Sequence, residues 1–444
     1  MKRSRYNRVV RLEEEDRYLL FNGLTTALIS MDQQQFDIAQ GVMSASSDNR
    51  KLSDGEEIQE IYKILVDGRF IIPDAVDEAA LLKVRYNISR LTNPLSLTIL
   101  PTLACNLRCT YCYERARHEF MTSETANAIC AFVEEQAQRD RYSEFHVTWY
   151  GGEPLLAAPT IWNLSDAFLK LSDQYGFSYT ATMTTNGTLL TKETADKLIR
   201  YNVTGVQVTV DGPKQVHDAR RPFRTRKGSS FDAILANLEH VVGTTEVSLR
   251  INTDKKNAEY VLDLVQIFAD KGWLGSDTKF SPYMAAVSTM TEACADVADD
   301  CCTIESFFDI SLDFCTACAT YGVPIRTRGL YHFPTSVKYN CGAVSLNSML
   351  VTPSGGIHKC GLTVSDENES VGNIRDPVDL VNPKLLKWLN FDPFDVAACR
   401  ACDLLPLCLG ACPKRAIDGE DPTNSNSCKY MKRNIDTILR LHGT

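Results

Sequence analysis

The chain has 444 residues, more than one average domain, so two or three domains are expected. Its composition is that of an ordinary folded protein, and a net charge of −9 argues against a nucleic-acid partner bound through its phosphates. No apolar run could span a bilayer and no signal-peptide core follows the N-terminal basic residues, so a cytoplasmic protein without membrane contact is expected. The 16 cysteines are therefore better explained as metal ligands than as disulfides.

Residues 1–92 are predicted to form a small domain of their own. Two strands, at 18–21 and 24–31, are joined by Asn22-Gly23, a pair typical of type I′ hairpin turns. The predicted elements that follow are a helix capped by Asp32 and running to about Gly41, a helix at 54–66, a strand at 70–72 and a helix at 75–91. A strand pair with a helical lobe is compatible with a winged-helix arrangement.

From residue 96 onwards, strands and amphipathic helices alternate regularly. The strands are predicted at about 96–100, 145–150, 179–184, 205–210, 246–251 and 278–282, with helices such as 123–138 and 191–201 between them. Such an alternation implies a parallel sheet. Curled into a partial (β/α)6 barrel, an α/β fold of the TIM type, the sheet would carry its chemistry at the carboxyl ends of the strands.

Three thiols, those of Cys105, Cys109 and Cys112, lie within eight residues directly after the first of these strands. A structural zinc site or an ordinary cubane cluster takes four protein ligands. The triple therefore predicts a [4Fe–4S] cluster with one iron open to another ligand. A zinc site or a buried cluster of thiols is the alternative.

The C-x3-C-x2-C spacing, with Tyr111 and Tyr113 on either side of the last cysteine, resembles the signature of the radical S-adenosylmethionine (SAM) family. The resemblance implies that the three cysteines are the catalytic cluster ligands and that the open iron chelates the amino and carboxylate groups of SAM. It further implies that an electron from the cluster cleaves SAM to a 5′-deoxyadenosyl radical, which removes one hydrogen from a substrate.

The second strand is followed by Gly151-Gly152-Glu153-Pro154, which resembles the GGEP motif of the same family. In that family the motif binds the SAM ammonium. Glycines let the backbone approach a ligand closely, and a carboxylate or carbonyl oxygen accepts hydrogen bonds from a cation. A generic Gly-Gly turn is the alternative interpretation.

Polar residues also follow the later strands. The resemblance places four of them near SAM, although polar residues are common at strand ends and the first could equally be a turn residue: Asn186, Thr209, Arg250 and Asn252. A basic group comes next in the same region, comprising His217, Arg220, Arg221 and Arg224. It either guides a substrate carboxylate or leader, or forms a solvated loop face.

The last hundred residues contain an ordered array of seven thiols: Cys341, Cys360, Cys399, Cys402, Cys408, Cys412 and Cys428. Such spacings in a reducing compartment predict metal clusters. Cys412 precedes Pro413, as at the end of bacterial ferredoxin runs, where the last cysteine binds the neighbouring cluster. The same crossover would divide this array between two clusters.

The array resembles the SPASM domain, a C-terminal extension of radical SAM enzymes with two auxiliary [4Fe–4S] clusters. The resemblance implies one set of four ligands, Cys399, Cys402, Cys408 and Cys428, and a second set, Cys341, Cys360 and Cys412, that is one short. Either a noncysteine group or a cysteine from the middle of the chain completes the second set, or its fourth iron is open to a substrate thiolate. Zinc is the alternative for Cys399-x2-Cys402 taken alone.

The order of elements in residues 1–92 resembles the peptide-recognition domain fused to radical SAM peptide-modifying enzymes, which holds a leader peptide as an added strand. A scaffold that packs only on the barrel is the alternative. The predicted domains are therefore a winged-helix-like recognition domain at 1–92, a radical SAM barrel at 93–330 and a SPASM domain at 331–444.

The function predicted from these resemblances is a radical SAM/SPASM maturase of a ribosomally made peptide, with SAM and three [4Fe–4S] clusters as cofactors. Thioether cross-linking of cysteine is the expected reaction, with a leader-bearing precursor peptide as substrate and flavodoxin or ferredoxin as reducing partner. The alternatives are an anaerobic sulfatase-maturing enzyme that makes formylglycine, a carbon–carbon cross-linking or dehydrogenating enzyme, and, outside enzymes, an iron–sulfur electron carrier or redox scaffold.

Overall fold

The structure, a computed structural model, describes residues 1–45, 55–92, 94–114, 116–140, 142–225, 227–323, 332–376 and 379–443. These residues form fourteen strands: β1 (Lys2–Arg3), β2 (Asn7–Leu12), β3 (Arg17–Asn22), β4 (Leu28–Asp32), β5 (Ile71–Ile72), β6 (Leu95–Ile99), β7 (Glu144–Trp149), β8 (Ser178–Thr184), β9 (Val203–Thr209), β10 (Glu246–Thr253), β11 (Phe280–Ala286), β12 (Ser348–Val351), β13 (Gly356–His358) and β14 (Gly372–Asn373).

The same residues form fifteen α-helices: α1 (Gln33–Ser44), α2 (Glu56–Asp67), α3 (Glu78–Leu91), α4 (Ser123–Asp140), α5 (Ala158–Tyr175), α6 (Lys192–Arg200), α7 (Lys214–Arg220), α8 (Ser230–Leu238), α9 (Val261–Asp270), α10 (Ile304–Thr320), α11 (Pro383–Leu389), α12 (Ala397–Arg400), α13 (Leu405–Cys408), α14 (Pro413–Ile417) and α15 (Asn426–Gly443). Within the described ranges, none of these helices combines the length and the apolar character needed to cross a membrane.

The chain divides into two compact units. Unit 1 contains Met1–Thr92, Phe333–Leu346 and Asn390–Thr444, and unit 2 contains Asn93–His332 and Asn347–Leu389. The first and last parts of the sequence thus share one unit. The division into domains at 1–92, 93–330 and 331–444 stays a prediction, and its boundary residues 93, 330 and 331 lie outside the described part of the chain.

Unit 2 is built on a nine-stranded sheet in the order β11-β10-β9-β8-β7-β6-β12-β13-β14. Strands β6 to β11 run parallel, each beside the next. This arrangement confirms the predicted α/β fold with a partial (β/α)6 barrel, and all six strands lie within a few residues of the positions predicted for them. The sheet also extends beyond β6 through β12, parallel to it, and through the antiparallel β13 and β14.

The barrel strands alternate between an apolar face and a polar face. In β7, Phe145, Val147 and Trp149 are fully buried, whereas His146 and Thr148 on the opposite face are only partly buried. Complete burial of such apolar side chains stabilises the fold by about 1.5–3 kcal/mol each. The polar face is therefore the one left free to line a site.

Unit 1 contains a three-stranded antiparallel sheet, β2-β3-β4, with a helix against each face. On one face Leu20 and Met31 pack with Phe36 of α1. On the other face Leu19 packs with Ile435 of α15. The sheet thus needs the last helix of the described chain to cover one of its two apolar faces.

The predicted strand pair is present as β3 and β4, but the type I′ turn at Asn22-Gly23 is wrong. Asn22 ends β3, and the connection runs over residues 23–27 with Thr26 at a φ of 62°. The Asn22 side chain is buried and donates to Ser4 Oγ and Asn7 Oδ1 at 2.9 and 2.8 Å, so a tertiary role takes the place of the turn.

The helices of unit 1 begin close to where their caps predict. Asp32 accepts a hydrogen bond from the Gln35 N–H at 2.8 Å, as a capping residue should, and α1 continues three residues past Gly41. The helix predicted at 54–66 is described from Glu56, since residue 54 lies outside the described part. The strand β2, which the sequence analysis missed, pairs with β3 along its whole length.

Candidate active site

The three predicted cluster cysteines lie on the loop that follows β6. Cys105, Cys109 and Cys112 line one cavity of about 820 Å³. Burial raises the pKa of the Cys105 thiol to about 11, and it raises the pKa of Cys109 although the nearby Arg221 opposes this rise. Both thiols line the cavity, and a metal bound there would favour their thiolate forms.

The cysteine loop also presents a backbone donor to one of its own sulfur atoms. The Leu107 N–H donates a hydrogen bond to Cys105 Sγ, with 3.5 Å between nitrogen and sulfur. Across the described residues, no group of three or more His, Cys, Asp or Glu side chains converges as the ligands of a single metal ion would.

The cysteine loop is held in place by the segment 220–224. The Arg108 N–H donates to Pro222 O and the Thr110 N–H donates to Arg220 O, each at 3.0 Å, and Leu107 pairs with Phe223 as an antiparallel bridge. This segment therefore acts as a short strand beside the cysteines. The sequence analysis missed this pairing because the two partners are more than a hundred residues apart.

The structure corrects one interpretation of the basic group. Arg220 and Arg221 are each only 6% exposed and His217 is fully buried, so the solvated loop face is wrong for these three. Arg220 Nη1 lies 2.8 Å from both carboxylate oxygens of Asp254. Buried guanidinium groups need such partners, because an unpaired charge inside a protein is strongly destabilising.

Tyr111, between the last two cysteines, is the centre of a polar network. Its hydroxyl donates to Asp211 Oδ2 and accepts hydrogen bonds from Arg221 Nη1 at 2.7 Å and Asn252 Nδ2 at 3.1 Å. Asp211 Oδ1 accepts the Asn252 N–H at 2.9 Å. The network joins the cysteine loop to the ends of β9 and β10, which fixes the loop over the cavity.

The Gly-Gly turn packs directly against the start of the cysteine loop. A Cβ on Gly151 would lie 2.3 Å from Thr102 O, and one on Gly152 would lie 2.4 Å from Ala104 O. Gly151 also has a φ of 121°, which favours glycine. Both glycines line the cavity, and the close approach of the cysteine loop requires that neither carries a side chain.

Glu153 and Pro154 are buried behind the turn and are not among the residues that line the cavity. Glu153 Oε1 accepts the Leu155 N–H at 3.0 Å and the Thr185 hydroxyl at 2.8 Å, and Oε2 accepts the Asn186 N–H at 2.7 Å. The carboxylate is thus engaged by three protein donors. The part of this motif that faces the cavity is therefore the backbone of Gly151 and Gly152.

The other four residues predicted near SAM, Asn186, Thr209, Arg250 and Asn252, all line the cavity. Asn186 makes the contacts of a turn residue and also lines the cavity, and its contact with SAM stays a prediction. Its Oδ1 accepts the Thr188 N–H at 3.0 Å, as in a turn, while its Nδ2 donates to Asn106 Oδ1 at 2.7 Å on the cysteine loop.

Arg250 lies beside Thr209 in the register of β9 and β10. Its Nε donates to Asn252 Oδ1 at 2.7 Å. The ends of neighbouring strands thus present a row of polar groups to the cavity.

Several cavity residues escaped the sequence analysis. Four are polar residues from the inner face of β6 to β9, and only the alternation of polar and apolar residues along those strands could have found them: Thr98, Thr148, Thr184 and Gln207. Two more, Glu114 and Tyr150, flank the recognised motifs. Burial raises the pKa of Glu114 to about 7, and hydrogen bonds from Tyr113 and Tyr150 oppose that rise.

A second group of thiols lies in unit 1, near the helices α12, α13 and α15. Burial raises the pKa of Cys399 to about 11, and the neighbouring Cys408, Cys428 and Cys402 raise it further, so these four sulfur atoms lie near one another.

Residues 409–411 all have positive φ values, and two of them, Leu409 at 44° and Ala411 at 60°, are not glycine. The N–H groups of Gly410 and Ala411 donate to Cys408, opposing the rise that burial causes in its pKa. Successive N–H groups aimed at one sulfur are typical of iron–sulfur sites.

The second predicted set of auxiliary ligands is divided between the units. Cys341 and Cys412 belong to unit 1, and Cys360 belongs to unit 2, where it follows β13. The grouping of these three stays a prediction. Of the cysteines in the middle of the chain, Cys294 and Cys318 are buried, as free cysteines commonly are.

Comparison with known proteins gives the following relationships. Residues 99–268 match the model of the radical SAM superfamily. The mycofactocin maturase MftC of Mycolicibacterium smegmatis is 25% identical over 74% of this chain and 82% of that protein. The cysteine-type anaerobic sulfatase-maturating enzyme of Clostridium novyi is 24% identical over 79% of this chain and 98% of that protein. The crystal structure of Streptococcus suis SuiB bound to its precursor peptide SuiA superposes with a TM-score of 0.56 and 17% identity, covering 95% of this chain and 97% of that chain.

Proposed function

Residues 99–268 of this chain are a radical SAM domain, and from this premise we propose that the enzyme modifies a ribosomally made peptide by joining a cysteine sulfur to another residue. The observation that carries the proposal is the cavity in which the C-x3-C-x2-C loop meets the Gly-Gly turn. The fold likeness to SuiB, which extends over 95% of the chain, supports a peptide substrate.

The cysteine loop supplies the reactive end of the cavity. Cys105, Cys109 and Cys112 would hold a [4Fe–4S] cluster, which together with SAM would supply the radical chemistry that removes a hydrogen atom from the substrate. The role of the protein chain itself is to orient SAM and the substrate and to enclose them. Gly151 and Gly152 bring the backbone close to the cysteine loop, and the polar groups at the strand ends line the cavity, where they would hold SAM. The walls of the cavity would also limit the access of solvent to the radical.

The thiols of unit 1 are proposed to hold an auxiliary [4Fe–4S] cluster through Cys399, Cys402, Cys408 and Cys428. The N–H donors on Cys408 support this assignment, because they stabilise a thiolate. A further auxiliary cluster on Cys341, Cys360 and Cys412 would have an open iron suited to a substrate thiolate. A net two-electron oxidation would remove one hydrogen from carbon and one from sulfur, with an auxiliary cluster accepting the surplus electron.

The leader of the precursor peptide is proposed to bind unit 1. Strand β4 is an edge strand of the sheet β2-β3-β4, and an extended peptide can add to such an edge through main-chain hydrogen bonds. The relative from Clostridium novyi matches over 79% of this chain but almost all of its own length, so about a fifth of this chain lies outside that match. A flavodoxin or ferredoxin is the proposed source of electrons.

A second candidate is the oxidation of a cysteine or serine to formylglycine. It is supported by the similarity to the sulfatase-maturating relative over 98% of that protein. A carbon–carbon cross-link would use the same cavity and the same radical. A thioether consumes a substrate thiol, a carbon–carbon link leaves every thiol in place, and formylglycine carries an aldehyde, so thiol alkylation together with a hydrazide reagent separates the three reactions.

The test is anaerobic co-expression of the enzyme with each small peptide encoded beside its gene, followed by intact mass before and after thiol alkylation. Loss of two hydrogens with one fewer alkylatable cysteine is the expected result. Loss of two hydrogens with every thiol still reactive would indicate a carbon–carbon link or desaturation if the product does not react with a hydrazide, and oxidation of a serine to formylglycine if it does. Cys109→Ala is the control, since it should abolish both the mass change and 5′-deoxyadenosine formation.

A modification that appears only in a sulfatase-derived peptide carrying a cysteine or serine would favour the second candidate. If no peptide or protein substrate changes mass while SAM is still cleaved, the proposal of a peptide substrate is overturned.

A further inference from the structure

Glu114 presents the cavity with a carboxylate oxygen that the protein does not satisfy. It lies two residues after Cys112 and lines the same cavity as the three predicted cluster cysteines. Its Oε1 is buried and has no hydrogen-bond partner among the described residues. A buried acceptor without a donor is unfavourable, and native structures usually retain one only for a reason.

The surroundings of Glu114 hold it in position without satisfying this oxygen. The hydroxyls of Tyr113 and Tyr150 hydrogen-bond each other, and both lie beside the Glu114 carboxylate, where they oppose the rise that burial causes in its pKa. The Tyr113 carbonyl accepts the Thr291 hydroxyl at 2.8 Å, which fixes the backbone next to Glu114. The carboxylate is therefore held by its neighbours while one oxygen stays available.

The other buried carboxylates near the cavity are already satisfied. Glu153 accepts three hydrogen bonds from protein donors, and Asp211 accepts one on each oxygen. Their partners are backbone or side-chain groups of neighbouring loops, so both carboxylates hold the cavity together. In the described part of the cavity wall, Glu114 differs from these two in that one of its oxygens is still open to a ligand.

We propose that Glu114 positions the substrate by accepting a hydrogen bond from an N–H or O–H group of the peptide beside the hydrogen that is removed. The inference rests on the proposed function and deepens it, because it names the group that the substrate must present. A backbone amide, a basic side chain or a hydroxyl would each serve, whereas an aliphatic side chain would leave the oxygen unsatisfied. Glu114 thus acts by positioning the substrate peptide, because abstraction is efficient only when the reacting hydrogen is properly aligned.

The test compares Glu114→Gln with the wild-type holoenzyme, using the peptide that the wild type modifies in co-expression. The three quantities measured are the dissociation constant of SAM, the Michaelis constant of the peptide, and the ratio of 5′-deoxyadenosine to modified peptide. Glu119→Gln is the matched control, because Glu119 lies five residues further on, is partly exposed and does not line the cavity.

The expected result for Glu114→Gln is a rise of about tenfold or more in the ratio of 5′-deoxyadenosine to product, with SAM affinity within about twofold of wild type. A merely structural role would lower both products together and leave their ratio unchanged. If the Gln variant does not assemble its cluster, Glu114→Asp replaces it, since it keeps the charge and withdraws the oxygen by one methylene.

Two outcomes would overturn the proposal. An unchanged ratio and Michaelis constant would mean that Glu114 does not contact the peptide. A SAM affinity weakened about tenfold or more with an unchanged ratio would assign the oxygen to a donor on SAM. Failure of the wild type to modify any peptide would instead count against the proposed function, so the two failures are distinguishable.

Discussion

Arg220 and Asp254 form a buried ion pair, with Arg220 Nη1 2.8 Å from both carboxylate oxygens and neither side chain more than 7% exposed. The guanidinium also lies over the Tyr111 ring, 5.0 Å from its centroid. We expect Arg220→Met to cost about 3–5 kcal/mol in unfolding free energy, because it leaves the Asp254 charge buried without its partner. Chemical denaturation under anaerobic conditions measures the loss.

The double variant Arg220→Met with Asp254→Leu is the informative companion, since it removes both charges and should recover much of that loss. Lys197→Met, which breaks the exposed pair with Glu193, should cost less than about 1 kcal/mol. Equal losses from the buried and exposed pairs would contradict the prediction.

Glu153→Gln is expected to destabilise the site by about 1–3 kcal/mol, although it changes only one atom. The carboxylate accepts three hydrogen bonds, and the amide group of glutamine would have to turn a donor toward one of those N–H or O–H donors. Thermal denaturation and the rate of 5′-deoxyadenosine formation report the effect. Glu193→Gln, at an exposed position on α6, should leave both unchanged.

Gly152→Ala is expected to abolish 5′-deoxyadenosine formation, since its Cβ would lie 2.4 Å from Ala104 O and would push the cysteine loop away. The matched control is Gly41→Ala in α1, where a Cβ meets nothing within 4 Å. This control should be neutral or stabilising by up to about 1 kcal/mol, because alanine favours helix more than glycine does. A Gly152→Ala enzyme with wild-type SAM cleavage would refute the packing argument.

Cys408→Ser is expected to lose the iron of one cluster, while Cys130→Ser, on α4 and outside the predicted ligand sets, should keep the full iron content. The reason is that Cys408 lies among three other thiols and receives two backbone N–H donors. Iron and sulfide analysis of anaerobically purified protein measures the difference. Equal iron content in the two variants would remove Cys408 from the ligand set.

His217 is expected to make the protein less stable in acid. Burial, together with Arg221 and Arg220, holds the pKa of this imidazole well below its ordinary value of 6.5. The unfolded chain therefore binds a proton that the folded chain does not, so stability is lost as the pH falls below about 6.5. Thermal midpoints at pH 7.5 and 5.5 test this expectation.

His217→Asn should reduce that pH dependence, since asparagine keeps an acceptor for the Asp211 N–H but does not titrate. His240→Asn, on an exposed position, serves as the comparison. A pH dependence that is the same in all three proteins would show that His217 is not the group responsible.

The sequence predicted the parts of the site that repeat or that form compact motifs. The strands of the barrel follow from their alternation, and the cysteine loop and Gly-Gly turn follow from spacing within a few residues. The burial of Arg220 and Arg221 could not be predicted in the same way. Their partners Tyr111, Asp211 and Asp254 come from other loops, and only the folded sheet brings these loops together.

The same limit explains the errors in unit 1. Asn22 belongs to a pair that favours tight turns, yet its side chain bonds to Ser4 and Asn7, and these tertiary contacts outweigh the local preference. Glu114 carries no motif, and its role is suggested only by an oxygen that the folded structure leaves without a donor.

The covering of the β2-β3-β4 sheet by α15 has a consequence for biosynthesis. A ribosome completes this sheet early and makes Ile435 and Leu439 only near the end of the described chain. Until then one apolar face of the nascent sheet has no cover, whereas the barrel, whose parallel strands are consecutive in sequence, can close in between. Unit 1 thus finishes folding last, and chaperones would encounter its open face for most of translation.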